Sequence, residues 1–195
     1  AMAIYSGTCN ALTLISCNDD ASNNGLMPMI NATGLTPGST IWIRFWEYSN
    51  DNNGTFGICV TTPPPPPTND NPCNAFVLPV NNTCNFGNYT NAGATASPGV
   101  PAPGCGSYLG ADVWFTVTVP PSGSIIFDAN TAGMTDGDMA IYSGNCNALT
   151  LVSCDDLSST NGVMPSITLT GQTPGATLWI RFWEYGNDNN GTVQL

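Results

Sequence analysis

The groups in this chain that could do chemistry are few, and nearly all are carboxylic. Asp136 and Asp138 stand in "DGD", Asp155 and Asp156 follow a cysteine in "CDD", and Glu184 and Asp188 lie in "WEYGNDNNG"; an earlier "CNDD" contributes Asp19 and Asp20. Carboxylates and carbonyls in irregular loops are what Ca²⁺ selects. A structural Ca²⁺ is therefore expected, best placed at Asp138, Asp155 and Asp156. The same residue types also build turns, and the spacing and terminal Glu of an EF-hand loop are missing. Paired carboxylates can hydrolyse glycosides, but the only two glutamates, Glu47 and Glu184, sit in two copies of "FWEY". There is no histidine and no lysine, which removes the usual general bases, Schiff-base chemistry and imidazole metal sites. With no G-x-S-x-G, P-loop or G-x-G-x-x-G motif either, the expectation is a protein that is not an enzyme.

Thirteen acidic residues against two arginines give a net charge of −11. Nothing basic is available to neutralise phosphates, so neither nucleic acid nor an anionic lipid surface is an expected partner. No run of about 18 apolar residues exists, so membrane insertion through a helix is not expected. No signal peptide is visible, as in a mature processed product.

Eight cysteines without histidine, Cys9, Cys17, Cys59, Cys73, Cys84, Cys105, Cys146 and Cys154, read as disulfides made in an oxidising compartment. Cys9 and Cys17 have the spacing of Cys146 and Cys154, which flank "NALTLVS". A bond between the members of such a pair would clamp one strand and turn. The connectivity among Cys59, Cys73, Cys84 and Cys105 stays open.

These groups must be positioned by a repeated architecture. Residues 2–58 align without a gap on 139–195, with roughly 40 identities, a domain-sized internal repeat. Between the copies "TTPPPPPT" is a polyproline spacer. The organisation read from this is the back half of a module at 1–60, a linker at 61–68 and a whole module at 69–195. β-Rich runs occur at "FVLPV", "DVWFTVTV", "SIIFDA", "MAIYSG", "LTLVSC", "SITLTG", "TLWIRFWEY" and "TVQL", separated by Gly, Asn, Pro and Ser clusters. Short strands spaced by turn formers predict an all-β fold, a jelly-roll-like antiparallel β-sandwich stapled by disulfides.

In "TLWIRFWEY", Leu178, Ile180 and Phe182 fall on one face; Trp179, Arg181, Trp183 and Tyr185 fall on the other. The first copy sets Ile41, Ile43 and Phe45 against Trp42, Arg44, Trp46 and Tyr48. One face suits a sandwich core. The second places aromatics around the single cation of each copy, close enough for cation–π contact. It reads as aromatic cover for the sheet's outer face, a protein interface or a sugar-stacking platform. N-x-[ST] sequons at Asn31, Asn53, Asn81, Asn88 and Asn190 would accept glycans.

The motifs "NDNPCNAFVLPVNNTC", "DVWFTVTV", "DMAIYSGNCNALTLVSCDD", "PGATLWIRFWEY" and "NGT", in this order, resemble the repeated modules of secreted surface proteins of Bacteroidota, related to the bacterial pre-peptidase C-terminal (PPC-like) β-sandwich. The resemblance implies export, β-sandwich modules joined through Pro-rich linkers, and a role on or outside the cell surface. It implies no activity. The family pattern carries Asp before the "AIYSG" strand; Asp138 fits it, and Ala1 stands in that place in the first copy.

A half-sandwich leaves sheet edges and half a core exposed, so residues 1–60 must borrow β-structure, either from a neighbouring chain or from upstream sequence. Head-to-tail strand complementation between copies of the chain would supply it and would generate an open filament. Cys59 would then find its partner in another subunit. The expected function is thus a structural subunit or repeat of an extracellular bacterial filament or surface adhesin, with copies of itself, and glycans, as partners. The alternative is a carbohydrate- or protein-binding accessory module of a secreted enzyme.

Overall fold

A computed structural model describes residues 1–22, 24–52 and 54–195. The chain divides into two compact units, Ala1–Val60 and Thr61–Leu195. The first contains β1 (Met2–Thr8), β2 (Ala11–Asn18) and β3 (Trp42–Phe45), in one antiparallel sheet of order β2-β1-β3.

The second unit contains β4 (Phe76–Val77), β5 (Asn88–Thr90), β6 (Val113–Thr118), β7 (Ile125–Asp128), β8 (Asn130–Thr131), β9 (Gly137–Asn145), β10 (Ala148–Asp155), β11 (Ser166–Leu169), β12 (Thr177–Glu184) and β13 (Thr192–Gln194). Every run read as a strand in this part of the sequence is one. β5 and β8, three and two residues long, are too short to show alternation. The main sheet has the order β10-β9-β12-β6-β4, antiparallel except for the β4–β6 pair. Two smaller sheets, β11-β7 and β5-β13-β8, supply the other layer. The fold is an all-β sandwich stapled by disulfides.

Alternation along the strands builds two cores. Val113, Phe115 and Val117 of β6, Met139 and Ile141 of β9, and Leu178, Ile180 and Phe182 of β12 pack against Ile125, Phe127, Ile167, Leu169 and Val193 of the smaller sheets. On the opposite face of the main sheet, Trp114, Ala140, Tyr142, Leu149 and Trp183 form a second cluster, covered by Val100, Cys105 and Tyr108. The main sheet is therefore buried on both sides. Its outer cover is an irregular strap, residues 97–108.

Two disulfides hold the front of this unit to its back, Cys73–Cys146 and Cys105–Cys154. The expected bond between Cys146 and Cys154 is not made. Cys146 lies at the β9–β10 turn, while Cys154 lies opposite Ala140 near the far end of the hairpin. Some seven residues of strand separate them by roughly 20 Å, too far for a bridge. The two bonds close loops of sequence separation 73 and 49, each contributing about 4 kcal/mol through the unfolded state.

The linker belongs to the second unit. A Cβ on Gly93 would stand 2.4 Å from the Pro64 carbonyl oxygen and 2.8 Å from that of Pro65. Only glycine permits this approach, so the prolines lie against the module.

Candidate functional site

The outer cluster is organised by one buried ion pair. Arg181 of β12 is 1% exposed and donates through Nε to Asp112 Oδ2 at 3.1 Å. Asp112 also accepts from Trp114 Nε1 at 2.9 Å, the Tyr108 hydroxyl at 2.7 Å and the Ser97 backbone N–H at 3.1 Å. The guanidinium lies 3.9 Å from the Tyr108 ring centroid and 5.5 Å from that of Trp114. Burial disfavours the charged guanidinium, but Asp112 outweighs it and holds the Arg181 pKa above its ordinary value. Burial, followed by the bond to Asp112, pushes the Tyr108 hydroxyl up to about 12. Such a pair specifies one arrangement, because removing either partner strands a buried charge. Asp112 opens "DVWFTVTV". The signal that would have found it is arithmetic: the only cation of a module needs one carboxylate if its strand is covered on both faces.

The residues read as a ligand face thus lie as follows. Arg181 and Trp183 are buried, Trp179 is half-buried and Tyr185 is exposed. In this unit their face is closed by the chain's own strap.

The first unit repeats the pairing of β9, β10 and β12 of the second in the same register. β1 pairs β3 as Met2 with Phe45 and Ile4 with Ile43; β9 pairs β12 as Met139 with Phe182 and Ile141 with Ile180. Both hairpins carry a bulge at the same place. The cover differs. β12 has β6 on its other edge, whereas β3 has no second neighbour among the described residues. Trp42 and Trp46 are more than a third exposed, Tyr48 69%, and Arg44 is exposed with no carboxylate partner among the described residues. Arg44 lies over its own-strand neighbour Trp46, 5.4 Å from the centroid. That is the i, i+2 contact the sequence suggests, and it is made where the cross-strand partners are lacking.

The acidic loops separate into two jobs. Asp155 accepts from Ser158 N–H, Ser158 Oγ and Ser166 N–H. Its burial is outweighed by these bonds, which lower its pKa. Its counterpart Asn18 accepts from Ala21 and Met29 N–H, the same two loop positions. A neutral amide replaces the carboxylate here, so the role is to build the turn. The carboxylates that do interact are Asp136, Asp138, Asp156 and Glu184. Asp138 is fully buried and neither of its oxygens has a hydrogen-bond partner; nor does Trp183 Nε1. A Cβ on Gly106 would fall 2.1 Å from Asp138 Oδ1, so the strap closes directly over this carboxyl. Burial first, then Asp156, Asp136 and Glu184, raise its pKa to about 7; the nearby Trp183 indole lowers it. Burial likewise raises Glu184 and Asp136. The structure does not bring Asp155 into this group. Among the described residues no three His, Cys, Asp or Glu side chains are arranged to hold a metal ion. This packing favours the protonated form of Asp138.

Cys9, Cys17, Cys59 and Cys84 are free thiols and exposed. The sequons at Asn31, Asn81, Asn88 and Asn190 are exposed; that at Asn53 lies outside the described residues. No helix among the described residues is long and apolar enough to cross a membrane.

Compared with protein-family models, curated proteins and solved structures, the chain matches none.

Proposed function

We propose that the chain is a structural repeat of an extracellular bacterial filament or surface adhesin, in which PPC-like β-sandwich modules follow one another head to tail. The observation that carries this reading is the twofold occurrence of one three-stranded sheet in identical register, closed by a front part in one unit and open in the other. Serial repetition through a proline spacer suits a fibre. Disulfides between front and back, and a surface rich in Asn, Ser, Thr and Gly, suit an oxidising exterior.

An accessory sugar-binding module would present an open aromatic platform. In the second unit Arg181 and Trp183 are instead buried, which weighs against that role. Negative-stain microscopy of the native assembly tests the proposal. Ordered fibres with a regular subunit spacing are the expected result. A monodisperse monomer that binds polysaccharide, and loses it on Trp179→Ala, would replace this reading with the accessory one.

A further inference from the structure

We propose that the open face of residues 1–60 is a docking surface for a front segment of the kind formed by residues 69–137, joined to residue 1 as residue 137 is joined to Asp138. Three disulfides would lock it: Cys9 to the counterpart of Cys73, Cys17 to that of Cys105, and Cys59 to that of Cys84. This deepens the modular reading above and rests on it, but not on fibre formation.

Three independent features define the occupant. The first is register. At the repeat offset, β3 is β12, and the edge of β12 that β3 leaves open is filled by β6, Phe182 opposite Val113 through Thr177 opposite Thr118. The second is charge. Arg44 stands where Arg181 stands, and the carboxylate and the two aromatic faces that meet Arg181, those of Asp112, Tyr108 and Trp114, come from the front part. The third is sulfur. Cys9 and Cys17 occupy the places of Cys146 and Cys154, whose partners are the front cysteines Cys73 and Cys105.

The third bond follows from the strand end. Leu195 and Gly87 exchange backbone hydrogen bonds, and Gln194 pairs with Asn88. Cys59 falls at the repeat position one past Leu195, and in the second unit that position adjoins the segment 79–87, which carries the free Cys84. That segment lines an open groove of about 980 Å³ together with Leu78 and Ile126. A bond at Cys84 would fasten it.

A second copy of this chain is a poor source of the front segment. Its residues 69–137 are already tied to its own back part by two disulfides and by the peptide chain. Lending them to residues 1–60 of a neighbour would uncover an equal face on the donor, with no net burial and a loss of effective concentration. Each copy has two back parts and one front part, so exchange among copies always leaves one open.

The test extends the full chain by placing a second copy of residues 69–138 ahead of Met2, in place of Ala1. Free thiols counted under denaturing, non-reducing conditions should fall from four to one, although the extension adds three cysteines. Peptide mapping should recover the three bonds named. The remaining thiol should map to Cys84. Seven free thiols would overturn the proposal. As a check independent of the thiols, amides of Trp42–Phe45 should gain hydrogen-exchange protection in the extended chain with Cys9, Cys17 and Cys59 changed to Ser; unprotected amides would overturn it. Disulfide-linked dimers of the unextended chain joined through Cys9 and Cys73 would overturn the assigned source. An extended chain that closes its thiols but forms no fibres would support this inference while removing the filament role.

Discussion

Ile180 and Ile43 hold the same place in two copies of one strand, each opposite the same isoleucine of its neighbour, yet the first is 1% exposed and the second 44%. Leu149 and Leu12 differ as 8% and 45%. The strand pairing is shared: three strands, one register and one bulge recur in both units, although β3 has four residues and β12 eight. The 57 residues of the repeat therefore carry enough information to set the hairpin and its third strand, while burial is conferred by a segment that lies elsewhere in sequence. Residues equivalent to β11 and β13 show the limit. Met29–Ala32 and Thr55–Gly57 are irregular, because the strands that pair with β11 and β13 belong to the front part.

Matched substitutions in the two copies are the sharpest way to break this comparison. Arg181→Ala should destabilise the second unit by about 3–5 kcal/mol, since it strands Asp112 among buried groups. Arg44→Ala should change stability by no more than about 0.5 kcal/mol, as surface substitutions do. Equal effects in chemical denaturation would mean that residues 1–60 are already covered. Ile180→Ala should cost about 2–4 kcal/mol through lost burial and a cavity, and Ile43→Ala a fraction of that, read in the same assay.

Proton linkage gives a further contrast. Asp138 holds its proton up to about pH 7 in the folded chain, whereas an unfolded aspartate loses it near 3.9. Between these values the folded state binds more protons, so stability falls as pH rises from about 4 to 7 and levels off above. Asp138→Asn should remove this fall from the melting profile of the second unit. The first unit, with Ala1 at that place, should lack it. The smallest effect is expected at the turn: Asp155→Asn and Asn18→Asp should each shift stability by less than about 1 kcal/mol, since either side chain caps the same two N–H groups. A larger loss for Asp155→Asn in Ca²⁺-containing buffer, abolished by chelator, would assign Asp155 the Ca²⁺-ligand role.

Much of this was legible beforehand because strand alternation and repetition are local properties of the chain. Leu178, Ile180 and Phe182 announce one face, and the eight β-rich runs of the second unit fall on strands. The disulfide partners were not legible. Spacing relates Cys146 to Cys154, but pairing depends on which segments cross the main sheet, and the strap 97–108 has no periodicity to reveal that it does. The same strap hides Arg181 and Trp183, which sequence alone left between a cover, an interface and a platform. The unpartnered Asp138 was visible as a carboxylate; its protonation follows from Gly106 closing over it, a contact between residues 32 positions apart.

The Cys73–Cys146 bridge also has a mechanical consequence. Tension applied between the proline linker and Leu195 would pass through the sulfur–sulfur bond, bypassing a stretch of sequence separation 73. About 250 Å of contour, at roughly 3.4 Å per residue, is thereby withheld from stretching. Only the linker end and the hairpin-to-terminus segment could pay out, so a pulled module would yield a short length and then stop.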